Sequence, residues 1–323
     1  MSARRGARAC GAPLMLVVAL AAAAPAVPRA AAQPLPPSAL RVRGSAAPFW
    51  RADRAPAVWT APDSGVARAL RWQRLDSAVA WAELPLQGTG EAWRLRLVVV
   101  RADPRALPWT LELRRDAGGG RWSVREAGDA RVALNAGHFN GGSPWGWVVI
   151  DGVERLPPQH GPLAAALLQR PDGSIAWVRD AAVDSVRQHH RARRGAGGAG
   201  AVRWAFQSFP VLLDSGGVVP PALRAGRALR LGHRDRRLAI GTTRDGALLV
   251  ALTVLDLPGA GEVPVGLTLP ELAAVMGALG AERAMALDGG ISAQLQVGAQ
   301  RWPGWRDVPL ALVAPSAAPP TGR

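Results

Sequence analysis

The tightest constraint on the fold lies in residues 268–290, where a helix with a readable start and stop runs straight into a short apolar strand. Thr268 followed three residues on by Glu271 spells a capping box, Pro270 is tolerated in the first turn, and Gly280 supplies the C-terminal stop. Leu272, Val275, Met276 and Leu279 recur at helical spacing, which predicts a helix over 269–279 with one face packed on a sheet. The run Ala284-Met285-Ala286-Leu287 then ends in Asp288-Gly289-Gly290. That pattern reads as a buried strand delivering one carboxylate to a rim, where small residues leave room for a ligand. Asp-Gly is also ordinary turn chemistry. The reading as a site therefore leans on the Gly-, Asn- and Arg-containing strand ends upstream.

Most of the remaining pattern is strand. Period-two or short apolar runs occupy 81–86, 93–101, 111–115, 132–134, 147–150, 211–213, 238–242 and 247–255. Asp151-Gly152, Pro171-Asp172-Gly173 and Asp245-Gly246 are hairpin signals, and Gly118-Gly119-Gly120 closes the third run. Residues 187–200 are polar and of low complexity, which predicts a loop. Many strands and few helices predict the α+β class: one domain over 70–314, with a mixed twisted β-sheet and few packed helices. Residues 33–69 read as a Pro/Ala-rich linker and N-terminal extension, and 315–323 as a disordered tail.

The N-terminus reads as a secretory signal peptide over 1–32. Arg4, Arg5 and Arg8 precede an apolar run over 14–24, and Ala30-Ala31-Ala32 offers a small-residue cleavage site. The run is too short to span a bilayer comfortably and no later stretch does better, so the expectation is a periplasmic or secreted protein with no stable membrane anchor. The sole cysteine, Cys10, precedes that run and is not placed as a lipoprotein acceptor. Cleavage leaves a chain without cysteine, which excludes disulfides, zinc thiolates and thiol nucleophiles. The formal net charge is +15, carried by arginine alone because the chain has no lysine. Outside 187–194 the arginines are scattered rather than clustered among aromatic platforms, so no nucleic-acid partner is expected. Attraction to anionic groups such as phosphate remains.

Several motifs have plain explanations. Gly195-Ala196-Gly197-Gly198-Ala199-Gly200 spells a dinucleotide fingerprint, but no apolar strand precedes it and no amphipathic helix follows. His189-His190 read as solvated residues of an arginine-rich stretch. Gln207-Ser208-Phe209 lacks the nucleophile elbow of a serine hydrolase. Glu271 belongs to its capping box. Of 13 tryptophans in a chain without tyrosine, most are expected in the core, while Trp145 and Trp147, or Trp302 and Trp305, are placed to flank a sugar. Arg237 opens an apolar strand, and its fork suits a pair of phosphate oxygens; an ordinary strand-end arginine is the alternative.

Six segments, in order, carry a family resemblance: Asn135-Ala136-Gly137-x-Phe139, Trp145-Gly146-x-Val148-x-Ile150-x-Gly152, Phe209-Pro210-Val211-Leu212, Arg237-x-Ala239-Ile240-Gly241, Gly266-Leu267-Thr268-Leu269-x-Glu271-Leu272-Ala273 and Leu287-Asp288-Gly289-Gly290-x-Ser292-Ala293. Over residues 90–314 the chain resembles the phosphodiester glycosidase family, whose bacterial members are often linked to exopolysaccharide. The resemblance implies a hydrolase that cleaves the glycosidic bond of a sugar 1-phosphodiester, with an N-acetylglucosamine-type sugar or an envelope glycan as partner. The resemblance implies a pocket of Asn135, Gly137, Arg237, Asp288, Gly289 and Gly290, with Asp288 and Arg237 catalytic and the others along the substrate; to these the chain's own pattern adds His138 for proton transfer and Trp145 beside the sugar. Asp288 would act at the anomeric carbon, as nucleophile or as base on water, and Arg237 would hold the phosphate. The departing phosphomonoester is weakly basic, so a strong general acid is less needed than in ordinary glycosidases. Ile291 stands where the family commonly has a third glycine, and His138 where it more often has an apolar residue. No cofactor is required by this reading. The resemblance leaves room for a structural Ca2+, for which Asp151 and Asp256 are candidates although they match no calcium loop. The rival readings are a non-catalytic envelope glycan-binding protein, an export enzyme acting on envelope phosphodiesters, and a basic polyanion binder.

Overall fold

Strands with both faces apolar organise the molecule. The computed structural model describes residues 37–114, 122–196, 201–225 and 230–316. The expected signal peptide with Cys10, the Gly118-Gly119-Gly120 stop, Gly197 to Gly200 of the glycine fingerprint and the tail past Ser316 lie outside the described residues.

In the strand Leu95–Ala102, Val98 and Val100 join one core cluster while Leu97 and Val99 join another on the opposite face. The strand Leu248–Leu255 divides in the same way, Val250 and Leu252 to one side and Leu249 and Ala251 to the other. Alternation with both faces buried marks central strands, and these two pair antiparallel along their whole length. They sit in a nine-stranded sheet that runs from Val211–Leu213 through Ala281–Ala286, Leu238–Thr243, Leu248–Leu255, Leu95–Ala102 and Val79–Gln87 to Ala39–Val42 and Trp50–Arg51, with Gln73–Arg74 pairing on Val79–Gln87 off this path. A five-stranded sheet holds Val153–Leu156, Val148–Ile150, Trp204–Ser208, Ala165–Gln169 and Ile175–Arg179. A third, also five-stranded, holds Gln300–Trp302, Leu295–Val297, Val132–Asn135, Leu310–Ala314 and Thr110–Leu113. The ladders described are antiparallel.

The inner faces of all three sheets share one core, to which Ile240 and Leu252, Leu167 and Phe206, and Leu134 and Leu312 contribute in turn. Helices cover outer faces, as the α+β class requires: α1 is Ser64–Ala69, α2 is Asp180–Gly195, α3 is Pro221–Ala225 and α4 is Leu269–Ala278. The three hairpin signals each join paired strands; at the first, Asp151 (φ 50°) and Gly152 (φ 71°) both take the left-handed conformation of a tight turn. Among the described residues no helix is long and apolar enough to cross a membrane.

Three local expectations change. Helix α4 begins at the predicted capping box, yet every one of its residues is buried, not one face only. Its outer side is covered by the N-terminal extension: Trp59 packs where a side chain at Gly277 would stand, and the Asp63 amide donates to Ala278 O. The stretch 33–69 is accordingly more than a linker, since Ala39–Val42 pairs with Val79–Gln87 and Leu40 is fully buried. Four residues carry too little pattern to stand out from a Pro/Ala-rich background. Residues 187–195, expected as a loop, are the second half of α2. Alanine and arginine are strong helix formers, and Val183, Val186 and His190 form a narrow stripe that packs on the second sheet. Glu154 fixes it further, accepting from Arg187 at 2.7 and 2.8 Å and from Arg191 at 2.7 Å.

Candidate active site

One strand end from each sheet meets at Asp288. Asn135 closes Val132–Asn135 of the third sheet, Ser208 closes Trp204–Ser208 of the second, and Asp288 follows Ala281–Ala286 of the large sheet. Backbone bonds stitch them together. The Asp288 amide donates to Gly137 O at 3.0 Å, and the Ser208 hydroxyl donates to Ala286 O at 2.7 Å. Asn135, only 1% exposed, spends its side chain on backbone: Nδ2 donates to Asp288 O at 2.9 Å and Oδ1 accepts from the Gln294 amide at 2.9 Å. It therefore holds Asp288 in place. Gly137 has φ 68°, and a Cβ there would sit 2.8 Å from Gln207 O, so both conformation and space demand glycine.

His138 has a defined tautomer. Because the Ser208 proton goes to Ala286 O, Ser208 Oγ accepts from His138 Nδ1 at 2.9 Å, which leaves Nε2 with its lone pair. Burial, and behind it the positive charge of Arg237, push the imidazole pKa down to about 4. The ring is neutral near pH 7, so its 4.0 Å approach to Asp288 Oδ1 is neither an ion pair nor a hydrogen bond. His138 stacks on Phe209 at 4.3 Å between centroids, and Trp145 meets Phe209 edge-on at 4.8 Å. The three rings make an apolar wall beside the carboxylate.

Asp288 is shifted the other way. Burial lifts its pKa to about 6 against hydrogen bonds from Ser292 and the Gly289 amide and the charge of Arg306, while Asp235 adds like-charge repulsion. Asp235 is a second carboxylate that sequence reasoning missed, hidden inside the charged run His233-Arg234-Asp235-Arg236-Arg237. Its own pKa is raised by burial and drawn back chiefly by Arg237. The reason for Gly289 and Gly290 lies in this approach. A Cβ at Gly289 would stand 2.8 Å from Arg236 O, and one at Gly290 (φ 57°) would stand 2.9 Å from an Asp235 carboxylate oxygen. The paired glycines thus let Asp235 and its strand approach the backbone that carries Asp288. Ile291, one residue further, is exposed and does not fill this space.

Three nearby arginines take different roles. Arg237 is half-buried, with Nε donating to Leu267 O at 2.8 Å and Nη2 to His233 O at 2.7 Å, so two of its donors already serve the backbone. Arg236 is fully buried with no carboxylate in salt-bridge contact among the described residues, and burial lowers its pKa to about 10. Its guanidinium holds Pro303 O at 2.7 Å and Trp302 O at 3.2 Å, fixing the loop that leads to Arg306. Arg306 is exposed, lies 5.3 Å over the Phe139 ring and acts electrostatically on Asp288. It is the second residue missed by sequence reasoning, and no motif marks it.

Other expectations resolve as follows. Glu271 makes the capping box, with the Thr268 amide donating to Oε2 at 2.8 Å, and also binds Arg234 at 2.6 and 2.8 Å. Trp147 is buried in the core of the second sheet with Nε1 on Glu154, so it does not flank a ligand. Trp302 packs on Trp81 and Trp305 is exposed. His190 is buried against Gly152 O, and His189 is exposed. Asp256 is surrounded by Arg43, Arg94 and Arg96, and Asp151 sits exposed on a hairpin turn, so neither suits a cation. Among the described residues no three His, Cys, Asp or Glu converge as a metal site. Two cavities lie away from Asp288, one at the far end of the strand Leu238–Thr243 and one beside α2. Chemistry rather than volume singles out Asp288.

Asp288 and Asp235, both shifted upward by burial, stand with Arg237 and Arg306 nearby, and His138 next to Asp288 stacks on Phe209. The chain belongs to the phosphodiester glycosidase family, whose model matches residues 128–314. The fold agrees with the catalytic domain of zebrafish N-acetylglucosamine-1-phosphodiester α-N-acetylglucosaminidase, auto-inhibited by its pro-peptide, at TM-score 0.58 and 16% identity over 80% of this chain and 87% of that one. A hypothetical protein from Synechocystis matches at TM-score 0.48 and 16% identity, covering 76% of this chain and 63% of its own. No curated protein sequence matches the chain.

Proposed function

We propose that this protein is an exported hydrolase that cleaves the glycosidic bond of a sugar 1-phosphodiester, of N-acetylglucosamine type or within an envelope glycan, releasing free sugar and a phosphomonoester. The observation that carries the reading is Asp288: a carboxyl group lifted to about 6 and set across a glycine pair from Asp235. Above that pH Asp288 is ionised. It then either attacks the anomeric carbon, forming a glycosyl ester that water hydrolyses in a second step to free sugar and the restored carboxylate, or takes a proton from water attacking that carbon; in both cases its charge offsets the positive charge that develops on the sugar. The bond from C1 to the bridging oxygen breaks, and the electron pair leaves with the phosphomonoester. Arg306 and Arg237 face the charge that collects there, in a site where fixed cations act more strongly than in water. His138 is neutral and adds no positive charge beside the developing cation; its free Nε2 can accept a hydrogen bond from the substrate or the attacking water. Trp145 and Phe209 offer the apolar surface for a sugar ring. The arginine-led apolar segment before Gln33 supports export.

The test uses protein beginning at Gln33 with an N-acetylglucosamine 1-phosphodiester, following both free sugar and phosphomonoester. Turnover by the wild type that collapses by at least about 1,000-fold in Asp288→Asn is the expected result. A wild type that binds acidic glycans yet turns over none of a panel of sugar phosphodiesters would make the protein a glycan-binding relative instead.

A further inference from the structure

The strands that deliver Asp288 have a second polar end. Leu238–Thr243 starts next to Arg237 and finishes at Thr243, and its antiparallel partner Ala281–Ala286 places Glu282 and Arg283 opposite that finish. Six extended residues separate the two ends by roughly 17–20 Å. At the far end lies a cavity of about 840 Å³, a size typical of ligand sites, into whose wall Arg74, Arg101, Arg105, Arg170, Arg244 and Arg283 all enter.

The wall sets four acids against these six arginines, so its charge stays positive, although Glu282 is half-buried there and makes no hydrogen bond or ion pair among the described residues. Asp245 is taken by Arg101 and the Thr243 hydroxyl. Asp76 accepts from the amides of Ala78 and Val79 at 2.7 and 2.9 Å and pairs with Arg131 at 3.2 Å. Asp103 accepts from the Arg105 amide at 2.9 Å. The guanidinium groups of Arg74, Arg105 and Arg170, in contrast, make no hydrogen bond or ion pair among the described residues. Arg105 and Arg170 act at a distance on Asp172, whose Oδ1 is already held by the hydroxyl and amide of Ser174 at 2.6 and 2.9 Å. Their spacing is fixed by the hairpin tip, where a Cβ on Gly173 (φ 81°) would stand 3.2 Å from Arg105 Cα. Trp177 shares the wall, its Nε1 tied to Thr242 Oγ1 at 2.8 Å.

We propose that this cavity is a second binding site, for a phosphate- or carboxylate-bearing saccharide. Unpaired guanidinium forks recognise both oxyanions through paired N–H donors, and an anchored indole beside them suits a sugar face. The site stands apart from the catalytic reading and does not depend on it. Lying at the opposite end of the strands, it would hold an anionic glycan without occupying the space around Asp288.

The experiment is calorimetric titration of the chain from Gln33 with hexagalacturonate, with mannohexaose carrying one phosphomonoester, and with neutral mannohexaose. The variants are Arg105→Ser/Arg170→Ser, the charge-keeping Arg105→Lys/Arg170→Lys, Asp288→Asn, and Arg193→Ser/Arg194→Ser as an equal charge change on α2. The expected result is binding of one or both acidic saccharides and not the neutral one. Affinity should fall at least tenfold in the serine variant and severalfold in the lysine variant, and less than twofold in the other two. The two acidic ligands then tell whether carboxylate or phosphate is preferred. If the serine variant does not fold, the lysine variant decides. Equal losses in both arginine-to-serine variants would reduce the effect to general attraction. No binding by wild type, or loss of binding in Asp288→Asn, would overturn the site.

Discussion

Replacing Asp288 by asparagine should make the protein more stable near neutral pH while removing its chemistry. The carboxyl group is raised from 3.8 to about 6 in the folded state, mainly by burial. Its ionised form is therefore disfavoured by folding. The stability associated with this group is complete below about pH 4 and is lost as pH rises through about 6. A shift of about two units corresponds to roughly 3 kcal/mol at pH 8. The side chain keeps 26% exposure, and solvent relaxation there reduces the working figure to about 1–2 kcal/mol. Asparagine retains an oxygen for the Ser292 hydroxyl and Gly289 amide, and removing the charge also relieves Asp235. For a domain of this size the gain is a rise in melting temperature of about 2–8 °C. Urea unfolding of both proteins at pH 8 and pH 4.5 checks it. The stability gap should be widest at pH 8 and shrink to about half or less at pH 4.5. An equal gap at both pH values, or a variant less stable at pH 8, would refute the electrostatic argument.

Four further outcomes follow from the same geometry. In activity against pH, kcat/KM should fall about tenfold per unit below about pH 6, as Asp288 takes up its proton. That limb should persist in His138→Asn, because the imidazole is neutral down to about pH 4. Arg306→Ala should lower kcat/KM by about 10–100-fold and move the acid limb upward, since this arginine holds the Asp288 pKa down; Arg306→Lys should restore part of both, as measured by steady-state kinetics. Gly137→Ala should cost about 2–4 kcal/mol in urea unfolding, combining a left-handed backbone with a clash against Gln207 O. Glu271→Ala should cost about 3–5 kcal/mol by the same measurement, because it strands Arg234 and opens the α4 cap.

What the sequence made legible was local. The cap of α4, the three Gly-containing hairpins and the long two-faced strands are short-range patterns, and each stands where its residues put it. The carboxylate at the end of Ala281–Ala286 was legible for the same reason. Asp235 and Arg306 were not, because what makes them part of the site is long-range pairing: Gly290 N donates to Arg236 O at 2.7 Å, and Arg306 N to Ile291 O at 3.0 Å. Asn135 stands out in the sequence at a strand end, whereas its bonds to the Asp288 carbonyl and the Gln294 amide, residues more than 150 positions away, do not. Helix α2 hid behind its arginines, whose pairing with Glu154 depends on a strand more than 30 residues earlier. The strand Ala39–Val42 hid behind prolines and alanines, since pairing with Val79–Gln87 rather than its own pattern makes it a strand.

The most direct test of glycosidic cleavage is to run the reaction in water labelled with oxygen-18 and to weigh both products. Attack at the anomeric carbon, as proposed for Asp288, places the label in the hydroxyl of the released sugar and none in the phosphomonoester. Label in the phosphomonoester would mean attack at phosphorus, and Asp288 would then not be the group that acts at the anomeric carbon.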